Sequence, residues 1–148
     1  MSEPRPPAVV SEAHEQVLIE APRDEAAIDL TDRIRPFLRR ALRPDGLLAV
    51  TLETQLCSLA LVDDAPGALE DLLAALEKMA PKGEYYQVNL RAPTERTGAA
   101  KVRASLLPRH LLLPFRARRL LLPEGITPRL LRHDFKQTET VSLTLMIY

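Results

Sequence analysis

The chain has 148 residues, 46% of them hydrophobic, with twenty basic and twenty acidic side chains. That is enough apolar material for one domain with a sizeable core and too little for two, and a net charge of zero excludes a whole-molecule field drawing the protein to nucleic acid or membrane. The lone Cys57 excludes an intrachain disulfide framework or thiolate zinc site and suits a reducing, cytoplasmic setting.

No apolar run approaches the roughly 20 residues needed to cross a bilayer, and residues 1–7 have no apolar signal core, so the chain reads as soluble and unprocessed. The charge balance hides an asymmetry. Residues 96–133 carry nine Lys/Arg against the single acid Glu124, while residues 1–95 carry an acidic excess. The basic third is therefore where an anionic ligand, or an acidic neighbour, is to be sought.

In chain order, residues 1–13 are rich in Pro and Glu and read as a disordered or loosely attached arm before a single domain over 14–148. Val17, Leu18 and Ile19 predict a strand ending at Ala21-Pro22. Ile34, Phe37, Leu38, Ala41 and Leu42 recur at helical spacing, predicting a helix over 32–42 with Thr31 as N-cap and Pro36 tolerated only near the first turn. Arg43-Pro44-Asp45-Gly46 is a turn, followed by strands over 47–52 and 57–61 with the polar Glu53-Thr54-Gln55 between or within them.

Asp63 to Gly67 opens a helix carrying Leu69, Leu72, Leu73, Leu76 and Met79, stopped at Ala80-Pro81-Lys82-Gly83. Tyr85, Tyr86 and Val88 predict a strand over 84–90, and residues 93–98 a loop. The stretch 99–114 changes period halfway. Ala100, Ala104 and Leu107 share a helical face, Pro108 blocks continuation, and Leu111-Leu112-Leu113 up to Pro114 reads as a buried strand. Residues 119–122 and 130–131 are short strands around the turn-rich 123–128, and 140–148 alternates as a half-buried strand. Few helices and many short strands predict an α+β fold built on a mostly antiparallel sheet or sandwich.

This order of elements resembles the YjbQ family, whose members are often described as secondary thiamine-phosphate synthases. The resemblance runs from about Ile28 to Tyr148. It rests on Ile28-Asp29-Leu30-Thr31-Asp32, the strand pair ending before Asp63-Asp64-Ala65-Pro66, the helix with Asp71-Leu72-Leu73, Pro81 and Tyr85, and above all Ala100-Lys101-Val102-Arg103-Ala104-Ser105-Leu106-Leu107 followed by Leu111, Leu113 and Pro114. It implies a two-sheet sandwich with two or three helices, assembled as a homotrimer with a polar pocket near subunit boundaries.

The chain departs from the family at its histidines. The family's His-Thr-Thr/Ser-Ala motif falls near Thr54-Gln55-Leu56-Cys57, or places Glu53 at the His position with a one-residue offset. The acid that follows matches Asp63 if one residue is deleted after the motif; the second His becomes Gln87 and the third becomes Lys101. The family's Gly-Thr-Trp-Gln-Gly turn falls on Pro123-Glu124-Gly125-Ile126-Thr127. Imidazole accepts a proton near neutral pH or ligates a metal, and Thr, Gln and protonated Lys do neither. The expectation is a trimeric, catalytically degenerate member, without metal or cofactor, holding a phosphate-containing small molecule through Thr54, Asp63, Lys101 and Arg103. The alternative is a weak thiamine-phosphate synthase-like transferase or hydrolase using Lys101.

Other constellations read as structural. His14, His110 and His133 miss the family's positions, and His133-Asp134 lacks the further ligands of a metal dyad. Ser105 has no adjacent His to activate it, and the five glycines form no phosphate-cradling loop. Arg103, Arg109, Arg116, Arg118 and Arg119 read either as a solvated or intersubunit charge face or as a phosphate-binding edge. Six aromatic residues supply no stacking set for nucleic acid.

Overall fold

The computed structural model describes residues 14–83 and 85–148; the N-terminal arm expected over 1–13 lies outside the described residues. The elements are β1 (His14–Ala21), β2 (Ala27–Asp29), α1 (Thr31–Arg39), β3 (Gly46–Leu52), β4 (Cys57–Asp63), α2 (Ala68–Met79), α3 (Gln87–Arg91), α4 (Gly98–Leu106), β5 (His110–Arg116), β6 (Arg119–Leu120), β7 (Ile126–Arg132) and β8 (Glu139–Ile147). Among the described residues the strands form two antiparallel sheets, a large one in the order β1-β8-β3-β5-β6 and a small one in the order β2-β7-β4.

The alternation in β8 explains its central place. Val141, Leu143, Leu145 and Ile147 all face inward and are buried, while Ser142 and Thr144 point to the half-exposed outer face. They meet Leu48, Val50 and Leu52 of β3, Leu113 and Phe115 of β5, and Leu59 and Leu130 of the small sheet, with Ile34, Phe37 and Leu38 of α1 closing the core. Each such Leu, Val or Phe contributes about 1.5–3 kcal/mol by leaving water.

The small sheet is covered on both faces. Its outer side packs Ala60, Val62 and Leu131 against Leu76 of α2, with Leu69, Leu72 and Leu73 partly buried alongside. This explains why Cys57 through Ala60 of β4 are all buried, where a one-sided strand would alternate. The outer layer of α2, α3 and α4 supports the candidate site.

Several expectations change. The strands over 47–52 and 57–61 form as expected but belong to different sheets, because the chain crosses between them through Leu56, held at φ 58°. The strand expected over 84–90 does not form among its described residues: Asn89 and Tyr86 hydrogen-bond locally to Gly83, Gly98 and Pro81, and residues 87–91 form α3. Thr31 is the first residue of α1, not its cap; its backbone N–H donates to Asp29 Oδ1 at 2.8 Å. Pro36 lies inside that helix, where it has no N–H to offer the carbonyl of the exposed Asp32 one turn earlier. Pro114 likewise continues β5, since Leu47 opposite it exchanges its bonds with Tyr148 and asks no donor of Pro114.

Candidate functional site

Outside the small sheet, the loop after α2, the segment from α3 into α4, and the residues following β7 enclose a cleft of about 460 Å³. Asn89 ties the first two together. Its Nδ2 donates to Gly83 O and its Oδ1 accepts from Gly98 N, both at 2.9 Å. Gly98 is required there: a Cβ would overlap the side chain of Tyr86, so only glycine lets α4 begin this close to α3.

Arg103, on the last turn of α4, is drawn inward and is only 8% exposed. Its Nε donates to Ala80 O at 2.8 Å, fixing the guanidinium against the end of α2. Its Nη2 is buried and has no partner among the described residues; neither has the hydroxyl of Thr97, which lines the same cleft. A buried donor left unpaired costs about 1–3 kcal/mol, and more when charged. The cleft wall thus presents an unmet demand for an acceptor.

His133, 7% exposed, completes the wall. Its Nε2 lies 3.0 Å from Ser58 Oγ, which itself donates to Ala104 O at 3.0 Å. Ser58 has one hydroxyl proton, so the serine accepts from His133 Nε2–H and Nδ1 is left as the lone-pair nitrogen. Burial, reinforced by the Arg103 charge, pushes the imidazole down to about 4, so it is neutral at pH 7. Among the described lining residues the remaining charges favour an anion: Lys82, Arg96 and Lys136 join Arg103, against Glu95 and Asp134. Among the described residues no three His, Cys, Asp or Glu side chains converge to hold a metal ion.

The residues singled out in the sequence are dispersed. Arg103 lines the cleft. Lys101, two residues earlier on α4, is exposed and pairs with Glu95 at 3.6 Å. Thr54 lies beside the large sheet, where its Oγ1 accepts from Ser142 N at 2.8 Å. Asp63 ends β4 and caps the following turn through Ala65 N at 2.8 Å. Glu53 sits on the outer face of the large sheet among Thr144, Ser142 and Gln16; the Thr144 hydroxyl holds its carboxyl below the usual range. Gln87 is exposed at the start of α3. Arg109 binds the carbonyls of Leu52 and Thr54, and Arg118 those of Ala41 and Leu42, so the arginine cluster does not share one surface with Arg103. Nothing in the sequence points to Asn89 or Thr97 as site residues, and His133 carries only the weak signal of the His133-Asp134 pair, which reads there as structural.

The comparisons agree on the architecture. The profile described as UPF0047 protein YjbQ-like matches residues 15–147. A YbjQ-like protein of unknown function from Sulfolobus solfataricus P2 superposes with a TM-score of 0.79 at 15% identity, over 90% of this chain and 95% of that one. An uncharacterized conserved protein of the yjbq/upf0047 family from Clostridium acetobutylicum gives 0.79 at 18% identity, over 90% and 99%. A conserved hypothetical protein from Thermus thermophilus gives 0.73 at 22% identity, over 89% and 99%. No curated protein matches the chain. With its sequence matched over residues 15–147 and its fold shared with those structures, the chain belongs to the YjbQ (UPF0047) family.

Proposed function

We propose that this chain is a catalytically degenerate, trimeric member of its family that binds a phosphorylated small molecule in the cleft around Arg103. The observation that carries the reading is the buried Nη2 of Arg103, without a partner among the described residues, in a cleft whose described lining has more cations than acids. A phosphate oxygen supplies the missing acceptor, and charge-assisted bonds from a guanidinium are the strong kind. Loss of proton transfer is supported by Thr54 and Lys101, which have partners within the fold, and by His133. A base that titrates near 4 has little proton affinity at pH 7.

Self-association is supported by the outer face of the large sheet. Cross-strand registers gather Leu47, Ala49, Leu112, Pro114, Met146 and Tyr148 into one apolar block, of which Leu112 and Tyr148 are about 60% exposed (61% and 58%). No described helix is long and apolar enough to cross a membrane. A cytoplasmic location remains part of the proposal.

Calorimetric titration with pyrophosphate and thiamine phosphate tests the reading. Wild type binds without turnover, Arg103→Met binds about 10- to 100-fold more weakly, and sedimentation gives a trimer. Equal binding by the variant sinks the site, and a monomer sinks the assembly. The weak transferase or hydrolase has one observation in its favour, the open Nδ1 of His133. Turnover that is lost in His133→Asn would establish it in place of the binding role.

A further inference from the structure

A second groove, sharing no residue with the Arg103 cleft, lies between α1, the β5–β6 hairpin and the chain entering β7. It encloses about 650 Å³, within the range of small-molecule sites. Its floor is apolar: Ile34 and Leu38 from α1 face the half-buried Leu120, Leu122 and Ile126. Every charged residue in its lining is an arginine, namely Arg35, Arg39, Arg118 and Arg119. Arg39 and Arg119 are exposed and make no ion pair among the described residues, and Arg35 has only a distant one, 3.9 Å to Asp32.

The hairpin that forms one wall is held in an unusual shape. A two-residue turn joins β5 to β6, and both residues, Ala117 and Arg118, have left-handed backbones (φ 52° and 60°) where Asn-Gly is the preferred pair. The conformation is clamped to the loop after α1. Arg118 N donates to Pro44 O at 2.8 Å, Ala117 N to Asp45 Oδ1 at 2.9 Å, and Arg118 Nε to Ala41 O at 3.0 Å. These bonds fix Arg118 as wall and leave Arg39 and Arg119 open at the rim. Thr31, whose buried hydroxyl has no partner among the described residues, lines the same groove.

We propose that this groove is a binding site for an organic anion with a compact apolar body. The body lies on Ile34, Leu38 and Leu120, and a phosphate or carboxylate head is held by the guanidinium forks of Arg39 and Arg119. An inorganic anion would leave the floor uncovered. The described lining residues include no aromatic side chain on which a nucleobase could stack.

The test uses the full chain carrying Arg103→Met, so that binding in the other cleft is weakened, titrated calorimetrically with 1-naphthyl phosphate, 1-naphthol and inorganic phosphate. The naphthyl phosphate binds at one site per chain, the other two probes bind about tenfold or more weakly, and adding Arg39→Ser and Arg119→Ser weakens naphthyl phosphate binding by about tenfold or more. Leu120→Ser, at a half-buried position, weakens naphthyl phosphate more than inorganic phosphate. No binding, affinity indifferent to both arginines, or inorganic phosphate binding as tightly as naphthyl phosphate would overturn the proposal. Because Arg103 is already replaced, these outcomes are independent of the pyrophosphate titration of the first cleft.

Discussion

Arg132, at the end of β7 in the small sheet, and Arg103, on α4 outside it, are both withdrawn from water, at 1% and 8% exposure, yet their surroundings differ in kind. Arg132 is fully partnered: Nε meets Glu139 Oε1 at 3.0 Å, Nη1 donates to the carbonyls of Pro22 (2.6 Å) and Glu25 (2.9 Å), and Nη2 to that of Gln137 (2.7 Å). It fastens β7 to the segment before β2 and to the loop leading into β8. Among the described residues Arg103 makes one side-chain bond, to Ala80 O, and keeps a buried nitrogen unpaired on a cleft. A buried charge that is fully satisfied by its own chain serves the fold. One that is half satisfied at a concave surface is a place for something else.

The largest effect should come from breaking the satisfied member. Arg132→Met leaves the Glu139 carboxylate and three carbonyls without their donor, and urea unfolding should show a loss of about 3–5 kcal/mol. His133 comes next, because one of its nitrogens is satisfied and the other is open. Between pH 6.5 and about 4 the unfolded imidazole takes up a proton that the folded one refuses. Stability from this residue is therefore complete above pH 6.5 and is lost as pH falls toward 4, by up to ~3 kcal/mol. Urea midpoints of wild type and His133→Asn across that range should converge as the pH drops.

Arg103→Met should sharpen the contrast. Its stability should change by no more than about 1 kcal/mol, since one hydrogen bond is exchanged for relief of an unpaired charge, while pyrophosphate affinity falls by the factor already given. Lys101→Ala should be the smallest perturbation. The side chain is exposed and its ion pair is loose, so thermal unfolding should stay within about 0.5 kcal/mol of wild type and pyrophosphate affinity should be unchanged.

The sequence makes the fold far more readable than the site. The 3.6-residue spacing of Leu69, Leu72, Leu73 and Leu76 and the strict alternation of β8 encode which face is buried, and the change of period at Pro108 marks the passage from α4 to β5. Local pattern does not encode which sheet a strand joins, so β3 and β4 read as partners although they lie in different sheets. Tyr85 and Tyr86 suggest a strand by propensity, but the hydrogen bonds of Asn89 override it. The cleft draws on residues near 82, 89–103 and 133–136, and nothing in their spacing announces that they meet. Arg103 and Arg118 belong to one charge run in the sequence and to two separate grooves in the fold.

The two guanidinium groups are most directly compared by following the arginine side-chain nitrogen resonances of the full chain by NMR while pyrophosphate is added. The Arg103 Nε signal should move saturably and the Arg132 signal should stay in place. An Arg103 signal that does not respond, or an Arg132 signal that responds equally, would contradict the account.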